Sequence, residues 1–445
     1  MSMSASFRRN KELSLLILVL ILGAGALALA ALARSEDAIG TAIPFMVLLT
    51  VFYIGTHLVM RRSAPQADPL VLPLAAILNA LGLAAIYRLE PEKLGPAQVT
   101  WTLVGLGFFV GTLLLVRDYT ALSRYKYLLG FAGVGLLLLP LAPGIGRTVN
   151  GARLWVGFGG YFQFQPGELA KICLVIFFAA YLAERKELLS IAPRRLLGLH
   201  FPDVKHFGPL LVMWGLSLAV MFFERDLGSS LLFFSIFLVM LYVATARFVY
   251  VAIGSLLFLV GAYVGYQRFD HVQDRVSVWL DVFNPRFIQD EGYQLAQSLF
   301  ALAQGGLFGT GLGRGRPDLI PAAHTDFIFS VIGEEMGLMG TAGVLLCFML
   351  IVARGLRISL TARDDFGQLL IAGLIGIFAI QTIIIIGGVT RLMPLTGITL
   401  PFMSYGGSSL LSNFMLLALV VRVSDQTARA PDPAMTGEIL IGGRH

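Results

Sequence analysis

The sequence contains little charge and few residues that bind metals or form disulfides. Only 13% of its 445 residues are Asp, Glu, Lys or Arg, whereas a soluble domain carries about 25%, and this excludes a soluble globular protein. The two cysteines, Cys173 and Cys347, both fall in apolar runs, which predicts packing residues and argues against a disulfide. Histidine and cysteine form no HxxxH or CxxC spacing, so we predict no metal site held by these residues.

The chain also lacks a soluble basic domain. Its net charge of +6 at pH 7 resides mainly in loops between apolar runs, where Lys and Arg mark the cytoplasmic side of a membrane. The basic balance therefore predicts no nucleic-acid partner.

Apolar residues are abundant instead, at 57% of the chain with a mean hydropathy of +0.79. A transmembrane helix needs about 20 apolar residues. This length predicts an all-α polytopic membrane protein with about twelve transmembrane helices, at 13–33, 40–60, 69–87, 98–116, 126–143, 168–183, 207–223, 228–245, 248–266, 327–353, 367–389 and 406–423. The first run lacks a convincing cleavage site, so we expect it to be retained as a helix.

The distribution of Lys and Arg predicts the orientation of the spans. One alternating set of loops is much richer in both residues, and we place that set, with both termini, in the cytoplasm. The loops 144–167, 267–326 and 390–405 then lie outside the cytoplasmic membrane. The Ala-, Pro- and Gly-rich tail 424–445 is predicted to be disordered.

The loop 267–326 is the longest interruption of the apolar pattern and mixes acids, bases and glycines. QLAQSLFALAQ has apolar residues at helical spacing, which predicts an interfacial helix at 293–304. The following GGLFGTGLGRGRP carries Arg314 and Arg316. Its glycine-rich backbone and arginines can cradle a phosphate, or it is simply a mobile loop.

Two further stretches place charge near membrane helices. FQPGELAK, 164–171, spaces Glu168 and Lys171 for an ion pair on one helix face, either functional or a polar packing link. ERDLGSS, 224–230, is interpreted as a solvated turn.

HTDFIFSVIGEEMGLMG, 324–340, sets His324 and Asp326 at the external start of a span, with Glu334 and Glu335 deeper. Carboxylates at that depth should face the bundle interior, and at least one should have a basic partner. GGVTRLMPLTGITLPFMSYGGSS, 387–409, predicts irregular, cavity-lining backbone around Arg391.

In combination, these motifs resemble the SEDS family (shape, elongation, division and sporulation proteins), especially its RodA-type members from actinobacteria. FQPGELAK, RDLG, GYQ with QS and GGLFG, HTDFIF with GEE, and PLTGITLPFMSYGGSS occur in the family order between about 150 and 410. The resemblance implies a SEDS-type bundle at 68–423, whose large extracellular loop carries interfacial helices, an additional N-terminal transmembrane pair at 1–67 and a disordered tail at 424–445.

The resemblance also implies a peptidoglycan glycosyltransferase that polymerises lipid II into glycan strands on the outer face of the cytoplasmic membrane. This activity would serve cell elongation and shape, or cell division. Its expected partner is a class B penicillin-binding protein, a transpeptidase. An aspartate would act as general base on the acceptor hydroxyl. Arginines, or a divalent cation such as Mg or Mn, would stabilise the undecaprenyl pyrophosphate leaving group. A lipid II flippase and a non-catalytic scaffold of the cell-wall machinery are the alternatives.

The family's essential aspartate lies shortly before GYQ, where this chain reads WLDVFNPRFIQDEGYQ. We assign the base to Asp290, with Asp281 as its rival and Glu291 as a third acid nearby. The resemblance further suggests a set of substrate-binding residues: Arg153, Lys171, Arg314, His324, Asp326, Glu335, Arg391 and Ser404.

Overall fold

The computed structural model describes residues 5–34, 38–149, 152–158, 162–190, 194–196, 199–201, 208–223, 226–290 and 292–429. Within these ranges the chain forms fifteen α-helices and five short strands. The predicted all-α membrane fold is thus confirmed.

Ten of the described helices are long and apolar enough to cross a membrane. They are α1 (Ala5–Leu32), α2 (Ala38–Ser63), α3 (Val71–Leu89), α4 (Leu94–Leu115), α7 (Pro166–Ser190), α9 (Leu227–Thr245), α10 (Phe248–Arg268), α13 (Ile328–Leu360), α14 (Asp365–Val389) and α15 (Gly407–Arg429).

The other two predicted spans are helices of less than full membrane length. α6 (Lys126–Leu138) follows the single turn α5 (Ala121–Arg124), and α8 covers Gly208–Phe223. The 13 residues of α6 reach only about 20 Å along the helix axis, short of the roughly 30 Å hydrocarbon layer. α6 gives way to a 3-10 turn that contains Pro140, because proline cannot continue the backbone hydrogen-bond ladder.

The N-terminal pair packs on the rest of the bundle, α1 along α3 and α2 against α4. Small residues allow the close approach of α1 and α3, since a Cβ on Gly23 would lie 2.6 Å from the Cβ of Ala80. α1 begins at Ala5 instead of the predicted residue 13. It therefore includes Glu12, whose Oε1 lies 2.7 Å from Nδ1 of His57 on α2, with both side chains fully buried.

α14 and α15 form the centre of the fold. α15 packs against α4 and α7, and α14 packs against α7, α9 and α13. By contrast, the apolar side chains of α10, such as Leu256, Leu259 and Tyr263, are exposed, as expected for a helix that faces lipid. The tail was predicted to be disordered from residue 424, which is wrong for 424–429, because α15 continues to Arg429. The rest of the tail, 430–445, lies outside the described residues.

Short strands occupy two of the loops. β1 (Gly146–Val149), β2 (Ala152–Phe158) and β3 (Phe162–Phe164) form an antiparallel sheet in the order β1-β2-β3 directly before α7. β4 (Arg194–Leu196) pairs with β5 (Leu199–Phe201). The long loop contains α11 (Asp270–Leu280) and α12 (Tyr293–Gly305), so a helix forms where the amphipathic pattern predicted one.

Candidate active site

A buried ion pair lies at the start of α7. Nζ of Lys171 is 2.9 Å from Oε2 of Glu168. Lys171 also donates to Gln381 of α14 at 3.2 Å, and Ser412 of α15 donates to Glu168 at 2.8 Å. The pair is a polar link between three helices. Direct substrate binding by Lys171 stays a prediction.

The connection between α14 and α15 is irregular, as its sequence predicts. Residues 391–400 form neither helix nor strand. Arg391 and Phe402 adopt left-handed backbone conformations with φ of 62° and 63°, which cost free energy in non-glycine residues and persist only where surrounding contacts impose them. The side-chain amide of Gln381 donates to the carbonyl of Thr399 at 2.6 Å, so protein groups cover this backbone.

Ser404 stabilises the same connection. Its hydroxyl donates to the carbonyl of Thr325 at 2.6 Å and accepts from the N–H of Leu400 at 2.9 Å. The side chain is 3% exposed. These contacts join the α14–α15 connection to the start of α13. Direct contact of Ser404 with substrate stays a prediction.

Arg391 binds the end of α11. Its Nε donates to the carbonyl of Trp279 at 2.8 Å, a terminal guanidinium nitrogen donates to the carbonyl of Leu280, and Nε1 of Trp279 donates back to the carbonyl of Arg391 at 3.2 Å. A cation at a helix C-terminus satisfies carbonyls that have no partner within the helix. These bonds fix the backbone immediately before Asp281.

The two candidate general bases lie at the ends of one short segment. Asp281 follows α11 and its carboxylate accepts a hydrogen bond from the side chain of Asn284 at 3.2 Å. The Asp290 carboxylate makes no hydrogen bond to any described residue, and both aspartates are exposed. The structure thus leaves both carboxylates accessible to a substrate. Glu291 lies outside the described residues.

Arg275 makes a second attachment between α11 and the α14–α15 connection. It donates to the carbonyls of Leu395 and Thr396 at 3.2 and 3.3 Å. Nearby, burial raises the pKa of Asp326 to about 6, and the positive charge of Arg275 opposes this shift. The Asp326 carboxylate has no hydrogen-bond donor among the described residues. It is therefore a partly buried carboxyl whose pKa lies well above its usual range.

The glycine–arginine segment 305–317 folds onto a break in α13. Gly337 has φ 65° and interrupts the helix. The N–H groups of Thr310 and Gly311 donate to the carbonyls of Glu334 and Glu335 at 2.9 and 3.0 Å. The interpretation of this backbone as a phosphate cradle is wrong for these two N–H groups, because oxygen atoms of the protein already occupy them.

The buried carboxylates of α13 also face this segment. Oε1 of Glu334 accepts from the N–H of Arg316 at 2.7 Å. Nε of Arg88 lies 3.7 Å from Glu335, which gives that carboxylate its expected basic partner. Arg88 also donates to the carbonyl of Gly313 at 3.0 Å. Arg314 is exposed and pairs with no acid in the described part of the chain, so its guanidinium is available to a ligand.

His324 and Arg153 have different surroundings. The His324 ring packs edge-on against Tyr405 with centroids 5.7 Å apart, and burial lowers the pKa of the imidazole, against the influence of Glu90. Arg153 of β2 donates to the carbonyl of Ala142 at 3.0 Å, which holds the sheet on the turn after α6. Arg153 makes no hydrogen bond to another predicted site residue within the described part of the chain.

The solvated-turn interpretation of 224–230 is wrong for Asp226. Its carboxylate accepts from the N–H of Ser229 at 2.9 Å and caps α9. Burial raises the pKa of Asp226 against the lowering effect of that bond. A Cβ on Gly228 would lie 2.8 Å from the carbonyl of Thr396, so the turn packs under the α14–α15 connection. An aspartate directly before an apolar run was a helix-capping signal in the sequence.

The described residues contain no group of three or more His, Cys, Asp or Glu side chains arranged to hold a metal ion. The candidate residues therefore include the exposed Asp281, Asp290 and Arg314, together with buried charges that other protein groups neutralise.

Comparisons with known proteins cover most of the chain. Residues 67–429 match the family FTSW_RODA_SPOVE, described as "Cell cycle protein". The chain is 47% identical over 394 residues to the peptidoglycan glycosyltransferase RodA of Mycobacterium tuberculosis, an alignment that spans 86% of this chain and 83% of that protein.

Solved structures show the same architecture. One similar structure comes from a study of the coordination of polymerization and crosslinking by a peptidoglycan synthase complex. Its chain superposes with a TM-score of 0.66 and 28% sequence identity, and the match covers 82% of this chain and 99% of the other. The crystal structure of the rod shape determining protein RodA of Thermus thermophilus gives a TM-score of 0.56 and 27% identity, with 82% and 98% covered.

Proposed function

The chain belongs to the FtsW/RodA/SpoVE family of cell cycle proteins, and from this membership we propose that it polymerises lipid II into glycan strands outside the cytoplasmic membrane. It is a multi-pass membrane protein and a peptidoglycan glycosyltransferase. The observation that carries the lipid II proposal is the pair of accessible aspartates, Asp281 and Asp290, on a segment whose entrance Arg391 holds in place.

The reaction requires a base and a stabilised leaving group. A carboxylate removes the proton from the acceptor sugar hydroxyl as its oxygen attacks the anomeric carbon of the donor. The new glycosidic bond forms while the bond from the anomeric carbon to undecaprenyl pyrophosphate breaks. Because donor and acceptor meet directly, a single displacement inverts the anomeric configuration.

Asp290 remains our choice for the base. A hydrogen bond accepted by a carboxylate occupies a lone pair that the acceptor hydroxyl of the substrate would otherwise use. Asp281 accepts such a bond from Asn284, whereas the Asp290 carboxylate accepts none from the described residues. Asp281 remains the alternative, since Arg391 binds the end of α11 immediately before it.

The pyrophosphate leaving group needs positive charge near its oxygens. Arg314 is exposed and not paired with an acid among the described residues, so it suits this role. A divalent cation, Mg or Mn, would have to be held largely by the pyrophosphate and one of the exposed aspartates. Polymerisation measured with and without a chelator separates the two sources of charge.

The proposed partner is a class B penicillin-binding protein that cross-links the new strands. The similarity to a structure from a complex that coordinates polymerization and crosslinking supports this pairing. The 47% identity to a mycobacterial RodA favours a role in elongation over division. We place both termini in the cytoplasm, because Lys and Arg concentrate in the loops on that side.

Purified protein with its transpeptidase partner and lipid II tests the proposal. Glycan products are separated on a gel for the wild type, Asp290→Asn and Asp281→Asn. A general base contributes about 10²–10⁴-fold to the rate, so one variant should lose at least 100-fold in kcat while the other loses far less.

Two results would contradict the proposal. Full polymerisation by both aspartate variants would remove the general-base assignment. Transport of lipid II across liposomes, without any polymer from the complete complex, would favour the flippase instead.

A further inference from the structure

A cavity of about 540 Å³ opens at the end of the bundle that carries the chain termini. It lies between the start of α1, the start of α3 and the ends of α13 and α15. The candidate active site is at the opposite end, where α7 begins and α14 ends. The cavity is therefore separate from the site that binds lipid II in our proposal.

The lining of this cavity is strongly basic. Arg8 and Lys11 come from α1, Arg354 and Arg357 from α13, and Asp68 is the single acid among the lining residues. Nε of Arg354 donates to Asp68 at 2.8 Å, so that acid is already neutralised. Three positive charges remain in excess around one cavity.

Several donors in this lining have no acceptor in the described protein. Nε of Arg8 and the hydroxyl of Thr427 are buried without a hydrogen-bond partner. The side chains of Lys11 and Arg357 make no hydrogen bond or ion pair with any described residue. Buried polar groups are normally satisfied, so the buried Arg8 Nε and Thr427 hydroxyl indicate a missing acceptor. Lys11 and Arg357 are exposed at the cavity, and their unpaired positive charges favour an acceptor that carries negative charge.

We propose that this cavity binds the phosphate headgroup of an anionic phospholipid from the inner leaflet. Basic cavities between transmembrane helices on the cytoplasmic side suit acidic lipid headgroups, and Leu70 and Ile358 add apolar surface to the lining. A soluble phosphate has the same oxygen atoms, but a lipid also supplies apolar chains at this depth. The assignment to the inner leaflet depends on the proposed orientation of the chain. The proposal that the cavity binds an anionic headgroup does not depend on that orientation.

Such a ligand would join α1 of the N-terminal pair to α13. It would contact Arg8 and Lys11 on one side and Arg354 and Arg357 on the other. Phospholipid binding should therefore stabilise the docking of α1 as well as fill the cavity.

The test uses the purified full chain in a neutral detergent. Lipid binding is measured by native mass spectrometry and by the rise in Tm with added phosphatidylglycerol, with phosphatidylcholine as the uncharged comparison. We compare the wild type with Lys11→Gln/Arg357→Gln. The matched control is Arg61→Gln/Arg62→Gln, two exposed cations at the C-terminal end of α2.

The cavity variant should bind phosphatidylglycerol roughly 30-fold more weakly than the wild type, from the typical contribution of two basic residues. The control should remain within about twofold. Neither Lys11 nor Arg357 makes a side-chain hydrogen bond or ion pair within the described chain, and the Tm without lipid verifies that the variant folds. The single variants Lys11→Gln and Arg357→Gln provide the same comparison if the double variant does not fold.

Equal phosphatidylglycerol binding by the cavity variant and the wild type would overturn the proposal. An equal loss of phosphatidylglycerol affinity in the cavity variant and in the control would also overturn it. Inorganic phosphate is the third arm: if it displaces the lipid and raises Tm at similar concentrations, the occupant is a soluble anion. These readouts do not depend on polymerisation, so they are independent of the proposed function.

Discussion

Arg391 and Trp279 hold each other through two hydrogen bonds that run in opposite directions. The guanidinium donates to the Trp279 carbonyl at 2.8 Å, and the indole donates to the Arg391 carbonyl at 3.2 Å. Two loops far apart in sequence are joined in this way, and Asp281 lies two residues beyond the joint. The contact explains why Arg391 tolerates its left-handed backbone.

Replacing this arginine should impair both catalysis and stability. Arg391→Ala removes charge-assisted hydrogen bonds, each worth about 1.5–3 kcal/mol, and frees the end of α11. We expect polymerisation to fall at least about tenfold, since a misplaced catalytic group is costly. Initial rates with lipid II measure the loss.

Arg268→Ala is the matched control for Arg391→Ala. Arg268 is an exposed arginine at the end of α10, before the same loop, and should leave the rate unchanged. An Arg391→Ala variant with wild-type rates would show that the joint does not position the catalytic segment.

The sequence predicted the elements that depend on local pattern. Helices form at all twelve predicted positions, and α12 occupies the amphipathic stretch. The sequence did not predict the sheet 146–164, the packing of Gly228 under the α14–α15 connection or the fit of the 305–317 segment against Gly337. The last two depend on contacts between distant residues, such as Gly228 against the carbonyl of Thr396, and no periodicity records such contacts.

Asp326 should make stability depend on pH. Its pKa rises from 3.8 to about 6 on folding, so the folded state binds a proton more tightly than the unfolded state. Its contribution is therefore favourable below about pH 4 and is lost as pH rises through about 6. Asp326→Asn should raise the stability at pH 7.5 by at most about 3 kcal/mol and flatten this dependence. Thermal unfolding at pH 5 and 7.5 measures both effects.

Asp318 provides the comparison. It is an exposed acid whose pKa Arg316 lowers, so Asp318→Asn should not stabilise the protein at pH 7.5. If Asp326→Asn and Asp318→Asn gave the same Tm at both pH values, the pKa of Asp326 would not be raised in the folded protein.

The pair of Glu168 and Lys171 should show strong coupling. Glu168→Gln or Lys171→Met alone leaves one buried charge without its partner, which costs about 3–5 kcal/mol. The double variant removes both charges and should recover much of that loss. Thermal or denaturant unfolding of the four proteins gives the coupling energy. Additive losses would show that water, not the partner, stabilises each charge.

Gly337 should be intolerant of any side chain. The break in α13 frees the N–H groups of Leu338 and Met339, which donate to the carbonyls of Gly306 and Leu307 at 2.9 and 3.1 Å. The loop thus replaces the missing helical hydrogen bonds, which is the physical reason that a kink can persist here.

Gly337→Ala should destabilise the protein by at least about 2 kcal/mol, because φ 65° is strained for alanine. The added Cβ would also lie 2.3 Å from the backbone nitrogen of Gly309. Gly343→Ala, two turns further along α13, meets no atom within 4 Å and should be neutral or stabilising by up to about 1 kcal/mol. Equal Tm values for the two alanine variants would mean that the loop does not depend on the break in α13.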